Sequence, residues 1–244
     1  MLTPEFFLLS FIVLFAGVVR GCIGFGFSAL VVVSGTLFIA PSTIVPMVVI
    51  LEIVASLHMA ASTWRQVAMK PLVYLLIGAA IATPLGVMAL VALPAQDIRL
   101  LLSGLILLMS LLLLSGWQYK GRINIFSYFF MGLFSGVCNG AAAVGGLPVA
   151  VFLASMRLSM AQLRATLVLF FLATEVVFII SALGHNLYNK ALLIQITMMI
   201  IPMALGIHYG SKLFHKLNEK ILRRAVITLL LILSSVGLVK GLIL

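Results

Sequence analysis

Charge is what this chain has least of: 5 of its 244 residues are acidic, 15 are basic, and charged side chains make up 8% of the whole. That is too little polar surface to cover a water-soluble globule. Cysteine is nearly absent too. Cys22 and Cys138 lie in apolar stretches with no CxxC or Cys/His ligand spacing, which argues against redox or metal chemistry and leaves them as small packing residues. No GxxxxGK[ST] phosphate loop is present, so the chain does not itself hydrolyse ATP. HExxH and GxSxG are missing and the four histidines are scattered, so neither a zinc nor a serine mechanism of an intramembrane enzyme is assembled. The sequence calls for no cofactor and no metal.

What fills the chain instead is apolar: 64% of residues are hydrophobic and the mean hydropathy is +1.32. Lipid is the expected solvent. At ~20 residues per spanning helix the length supplies roughly eight spans and no separate soluble domain. The opening MLTPEFFLLSFIVLF has Glu5 where a signal peptide carries positive charge, and no small-residue cleavage site follows, so it is expected to be retained. The formal charge of +10 comes from basic residues between apolar runs, where they orient a membrane protein rather than bind nucleic acid.

Uncharged runs predict helices at about 43–62, 71–92, 98–116, 165–183, 190–211 and 222–243, each near the length a bilayer demands. Residues 5–40 and 124–156 are too long. As straight helices they would reach ~54 and ~50 Å against a hydrocarbon core of ~30 Å. Each carries glycines in its middle, Gly21, Gly24 and Gly26 in the first and Gly136, Gly140, Gly145 and Gly146 in the second, which permit a tight reversal. The segment is then either a broken helix that crosses or a hairpin that returns.

Loop charge separates the two. Setting Arg20 aside, crossing segments split the remaining Lys and Arg 6 to 8 between the faces, whereas hairpins leave only Arg99, Lys190 and Lys240 on one side and 11 on the other. The second split is the one an oriented membrane protein has. Hairpins with arms of about 16 residues, reaching ~24 Å, are therefore expected, with both termini outside and the basic loops cytoplasmic.

On this reading the fold class is all-α membrane protein, with two inverted repeats, each a Gly-broken hairpin plus three transmembrane helices. The first membrane repeat is residues 1–118 and the second 119–244. Each half has a Gly-rich breaker, a span with one carboxylate (Glu52, Glu175), and a span with a proline followed by glycine (Pro84 and Gly86, Pro202 and Gly206). Inverted repeats with interrupted helices permit alternating access, the mode of secondary carriers. A passive channel shares much of this sequence pattern but conducts without saturation.

An ionised carboxylate in lipid costs several kcal/mol and is seldom kept without a task. Glu52 and Glu175 are accordingly proton-coupling candidates; the alternative is an anchor role, bonded to a neighbouring hairpin's backbone. Arg20, Gly21, Gly24, Gly26 and Ser28 at one breaker, with Asn139, Gly140, Gly145 and Gly146 at the other, are substrate-binding candidates, since helix starts offer free N–H groups and positive potential to an anion. Against this, Arg20 can pair with Glu52 or reach the headgroups, and the glycines can serve packing. Asn139 can bond a ligand or loop backbone. His58 and His208 read as interfacial or structural. Gly132, Gly136 and Gly140, four residues apart, mark close helix contact.

The runs GVVRGCIGFGFSALVV and GLFSGVCNGAAAVGGLPVAVFL resemble the duplicated Gly-rich motifs of the sulfite exporter TauE/SafE family, and the resemblance extends over essentially the whole chain. It implies a multi-pass transporter of the bacterial-type inner cell membrane. It further implies a small anion substrate, sulfite or an organosulfonate such as sulfoacetate, usually moved outward. It carries over the two Gly-rich segments as the core of the fold and assigns no role to Glu52 or Glu175. Partners are then the anion, membrane lipid and, for assembly, a homodimer.

Overall fold

The computed structural model describes residues 4–116, 123–156, 158–214 and 219–243. The expected boundary between residues 118 and 119, and the loop cations Lys120, Arg122, Arg157 and Lys216, lie outside the described residues. Ten α-helices and one 3-10 turn account for nearly all of the rest: α1 (Pro4–Ile23), α2 (Phe27–Gly35), α3 (Pro41–Thr63), the turn Trp64–Gln66, α4 (Met69–Ala92), α5 (Ala95–Leu114), α6 (Ile125–Ala142), α7 (Gly146–Ala154), α8 (Met160–Ala182), α9 (Lys190–Phe214) and α10 (Glu219–Ile243). Eight of them, all but α2 and α7, are long and apolar enough to cross a membrane.

Local chemistry sets the limits. Pro41 opens α3 at the first helical position, where its missing N–H costs nothing. Asn124 with Ser127 and Ser159 with Gln162 form capping boxes at the starts of α6 and α8, which satisfy two otherwise orphaned amides each. The second box starts α8 at Met160, earlier than the apolar run alone indicates.

Both long segments double back. Tyr128, early in α6, stacks edge-on against Phe152, late in α7, with ring centroids 5.9 Å apart. Phe38, Ile39 and Thr43, which follow α2, share one cavity with Glu5, Phe6 and Leu9 at the start of α1. The arms are unequal, however: 20 and 9 residues in the first segment, 18 and 9 in the second. Arms of about 16 residues were expected; the break falls late, at Gly24 and Gly26 (φ 84° and 90°) and at Ala143 (φ 53°), so each first arm is long enough to span and each second arm is a half-length helix. Every residue of α2, and α7 from Gly146 to Leu153, is buried, so both short arms lie inside the bundle while large apolar side chains such as Phe11, Ile81, Leu85 and Ile201 face outward.

Glycine brings two pairs of helices into backbone contact. Gly17 and Gly21 of α1 meet Gly206 and Gly210 of α9; Gly78 and Gly86 of α4 meet Gly132 and Gly140 of α6. Each pair runs parallel, since the contact positions rise together. A Cβ on Gly206 would stand 2.9 Å from the amide of Val18 and closer still to the Leu14 carbonyl, and one on Gly140 would meet the Thr83 carbonyl and stand 2.7 Å from the amide of Val87. Backbone cannot move aside cheaply, so these contacts depend on the absent side chain. Gly140→Val and Gly206→Val are therefore expected to lower the melting temperature of the detergent-purified protein strongly or abolish its folding, while Gly184→Ala, with nothing within 4 Å, leaves it unchanged.

Candidate functional site

The packing of α3 against α8 brings two carboxylates into the bundle interior, and neither Glu52 nor Glu175 has any exposed surface. Their surroundings differ. At the first break, the positive φ of Gly24 and Gly26 reverses the chain and leaves α2 starting at Phe27 with no side-chain cap. The missing cap comes from α3: Glu52 Oε1 accepts from the Ser28 amide at 3.2 Å. A carboxylate there satisfies an orphan N–H and lies at the positive end of the helix.

Arg20, in the last turn of α1 and completely buried, completes this arrangement. Its Nη2 lies 2.9 Å from Glu52 Oε2 and donates to Ser56 Oγ at 2.8 Å, and its Nη1 donates to Glu52 Oε1 at 3.3 Å. The guanidinium also lies over the Phe171 ring, 4.7 Å from its centroid, a favourable contact for a desolvated cation. Of the two local alternatives for Arg20, pairing with Glu52 is the one seen here.

Among the described residues, no cation forms an ion pair with the carboxylate at the second break. Asn139, inside α6 rather than at the tip, donates through Nδ2 to Glu175 Oε2 at 3.3 Å. Asn139 Oδ1 and Glu175 Oε1 are buried without hydrogen-bond partners, as is the hydroxyl of Tyr188, which lies in electrostatic range of Glu175. Ser135 Oγ donates to the Gly145 carbonyl at 2.6 Å, tying the tip of the second hairpin to its first arm. Glu175 is also in electrostatic range of Glu52 and Arg20. One guanidinium and two carboxylates thus share the interior.

The glycines divide by role. Gly21 and Gly140 face neighbouring backbone, of α9 and α4 respectively. Gly24 and Gly26 supply the reversal. Gly145 lies against Ser135 and Asn139, and Gly146 leaves the space that the Phe171 ring fills. Phe171 therefore touches both hairpins, Arg20 on one side and Gly146 on the other. Sequence reasoning missed it, and missed Ser56, although each lies one helical turn from a carboxylate, at positions 175 − 4 and 52 + 4, where side chains share a face.

Arg164, one of the 11 cations counted on the basic face, is not a free loop charge. It belongs to α8, folds over Gly24, and donates to the Gly21 carbonyl at 3.3 Å. His58 and His208 are exposed. Cys22 donates to the Gly210 carbonyl at 3.1 Å, a packing role. Among the described residues no three His, Cys, Asp or Glu side chains converge as metal ligands.

No curated protein and no solved structure matches this chain. A family model does: the one described as Sulfite exporter TauE/SafE aligns with residues 9–236. A bundle of spanning-length helices with a buried charge cluster at its two chain breaks, matched nearly end to end by that model, is a multi-pass membrane protein, and the chain belongs to the TauE/SafE sulfite exporter family of membrane transporters.

Proposed function

We propose that this protein is a secondary transporter that carries a small oxyanion, sulfite or an organosulfonate, across the cell membrane by alternating access, in the export direction its family name indicates, with protons coupled to the movement. The observation that carries this reading is the seat of Glu52. Its carboxylate is itself an oxyanion, held by the Arg20 guanidinium and an amide of the α2 N-terminus, the combination of donors that a sulfite or sulfonate group requires. Substrate takes that place when Glu52 leaves it.

Charge then dictates coupling. With Arg20, Glu52 and Glu175 ionised the interior carries one positive and two negative charges, and an arriving anion adds a third negative in a medium that screens poorly. Protonation of the carboxylates reverses this balance, so anion and proton bind cooperatively. Glu52 takes a proton as it releases Arg20; Glu175, with a single amide donor and an unpartnered oxygen, sets the charge of the empty site. Gly24, Gly26 and Ser28 shape the first half of the site, and Asn139, Gly145 and Gly146 the second, with Phe171 between them. Gly21 and Gly140 hold the arms in place.

Alternating access is supported by how the pairs repeat. The first arm α1 lies along α9 and the first arm α6 lies along α4, the same kind of pair exchanged between halves. With α1 and α6 entering from opposite faces, residues 1–118 and 119–244 are inverted repeats and the two hairpins are re-entrant. The sparse cations at Arg99, Lys190 and Lys240 support an outside position for that face.

Three outcomes are expected. In a chain lacking Cys22 and Cys138, cysteine introduced by His185→Cys is labelled from outside intact cells and by Gln66→Cys only from the cytoplasm; the reverse pattern contradicts the orientation. Glu52→Gln removes the carboxylate that pairs with buried Arg20, a loss of about 3–5 kcal/mol, so its melting temperature falls; sulfite or an organosulfonate restores it more than it stabilises the unsubstituted protein, because the anion fills the vacated seat. In liposomes, uptake of an organosulfonate, whose own charge is constant near neutrality, is saturable and its affinity rises as pH falls. Glu175→Gln flattens that pH response. Absence of flux under every imposed pH and voltage gradient overturns the reading.

A further inference from the structure

We infer that the cleft between the ends of α5 and α10 is a binding site for an anionic membrane lipid. Two adjoining spaces carry this assignment. The first is a cavity of about 360 Å3 whose polar walls are Thr36, Gln96, Arg99, Ser103 and Lys240. The second is a groove of about 440 Å3 lined by Ser235, Val236, Val239, Lys240 and Ile243. Lys240 belongs to both, so one cation stands where a polar cavity meets an apolar channel.

The cavity is built for negative charge. Arg99 has a buried Nε with no hydrogen-bond partner. Lys240 donates to the Leu37 carbonyl at 2.5 Å, which leaves further N–H donors on its ammonium. α5 starts beside them with Pro94 at its N-cap and no side-chain cap, so amides of its first turn face the same region, where the helix dipole favours an anion. Asp97 is the acidic residue of that turn and is not among the cavity walls. Gln96 is held by the Gly241 carbonyl at 2.9 Å, which fixes the rim.

Placement adds a second argument. Among the described residues, the face at the ends of α2, α4 and α10 carries Arg99, Lys190 and Lys240 as its basic residues. On a face so poor in cations, two of three converge on one cavity. A free phosphate or sulfonate would use the cavity alone. The adjoining groove favours a lipid: Val236, Val239 and Ile243 form one strip of α10, 48%, 55% and 77% exposed, along which an acyl chain lies while its phosphate reaches Arg99 and Lys240. Because Lys240 also holds the carbonyl that follows α2, an occupied site bears on the end of the first hairpin. None of these residues belongs to the proposed transport site.

The test uses the full chain, delipidated in neutral detergent, with lipid retention read by native mass spectrometry and stability by thermal shift. Phosphatidylglycerol is expected to be retained and to raise the melting temperature, with phosphatidylcholine and free glycerol phosphate doing neither. Arg99→Gln with Lys240→Gln removes two charge-assisted contacts and weakens phosphatidylglycerol binding by about tenfold or more. Val239→Trp, a change on the exposed strip that leaves the charged cavity intact, fills the groove and also lowers retention; it tests the site if the double variant does not fold. Equal effects of the two lipids overturn the inference, as does glycerol phosphate matching phosphatidylglycerol, which would make this a free-anion site. Unchanged phosphatidylglycerol binding in Val239→Trp contradicts it as well.

Discussion

A carboxylate taken out of water must find donors that replace its hydration, and in this protein the way Glu52 does so fixes the surrounding architecture. Its oxygens need both a cation and a helix start. The cation has to come from α1 and the helix start from α2, so the chain between Arg20 and Ser28 must reverse within a few residues. Only a left-handed backbone does that in so short a distance, hence Gly24 and Gly26. With α2 buried and ending after one short arm, the chain returns to the face from which α1 began. Removing either partner leaves a desolvated charge, so the ion pair holds the hairpin closed on α3.

The second break uses the same plan with different chemistry, and the difference matters. Asn139 stands where a cation would neutralise Glu175, and an amide supplies a weaker hydrogen bond than a guanidinium and no charge. Glu175 Oε1, Asn139 Oδ1 and the Tyr188 hydroxyl are left without partners. Buried polar atoms without partners are costly and rare in native proteins, and the proposed mechanism uses this part of the interior to take up a proton. In the proposed mechanism this asymmetry divides the labour: one break offers an oxyanion seat, the other holds the charge that decides whether the seat can be filled.

Much of the fold was legible in the sequence because lipid imposes a simple length rule. The six plain spans appear as α3, α4, α5, α8, α9 and α10, and the two long Gly-punctured stretches double back. Loop charge underlies the proposed orientation, and Arg164, one of the cations counted for it, belongs to α8. Arm lengths were not legible, since nothing in an apolar run says where among several glycines the backbone turns; the late positions of Gly24, Gly26 and Ala143 settle it. Of the site, Arg20, Ser28, Glu52, Asn139 and Glu175 stood out as polar groups in apolar context, and the structure brings Arg20, Ser28 and Glu52 together and Asn139 to Glu175. Phe171 did not, because an aromatic residue in a spanning helix looks like any other apolar one until its neighbours are placed. Gly21 and Gly140 looked like parts of a tip but lie along α9 and α4, a distinction that requires knowing which helix lies beside them.

In the proposed mechanism an oxyanion can occupy the Arg20 seat only as the interior takes up protons. Calorimetry of an organosulfonate binding to the purified protein, repeated in buffers of different ionisation enthalpy, counts those protons directly. Uptake of at least about one proton per anion bound, diminished when Glu175 is replaced by glutamine, is the result required by a site with one cation and two carboxylates. Binding whose heat is the same in every buffer would mean no proton moves, and the proposed coupling between the two breaks would be contradicted.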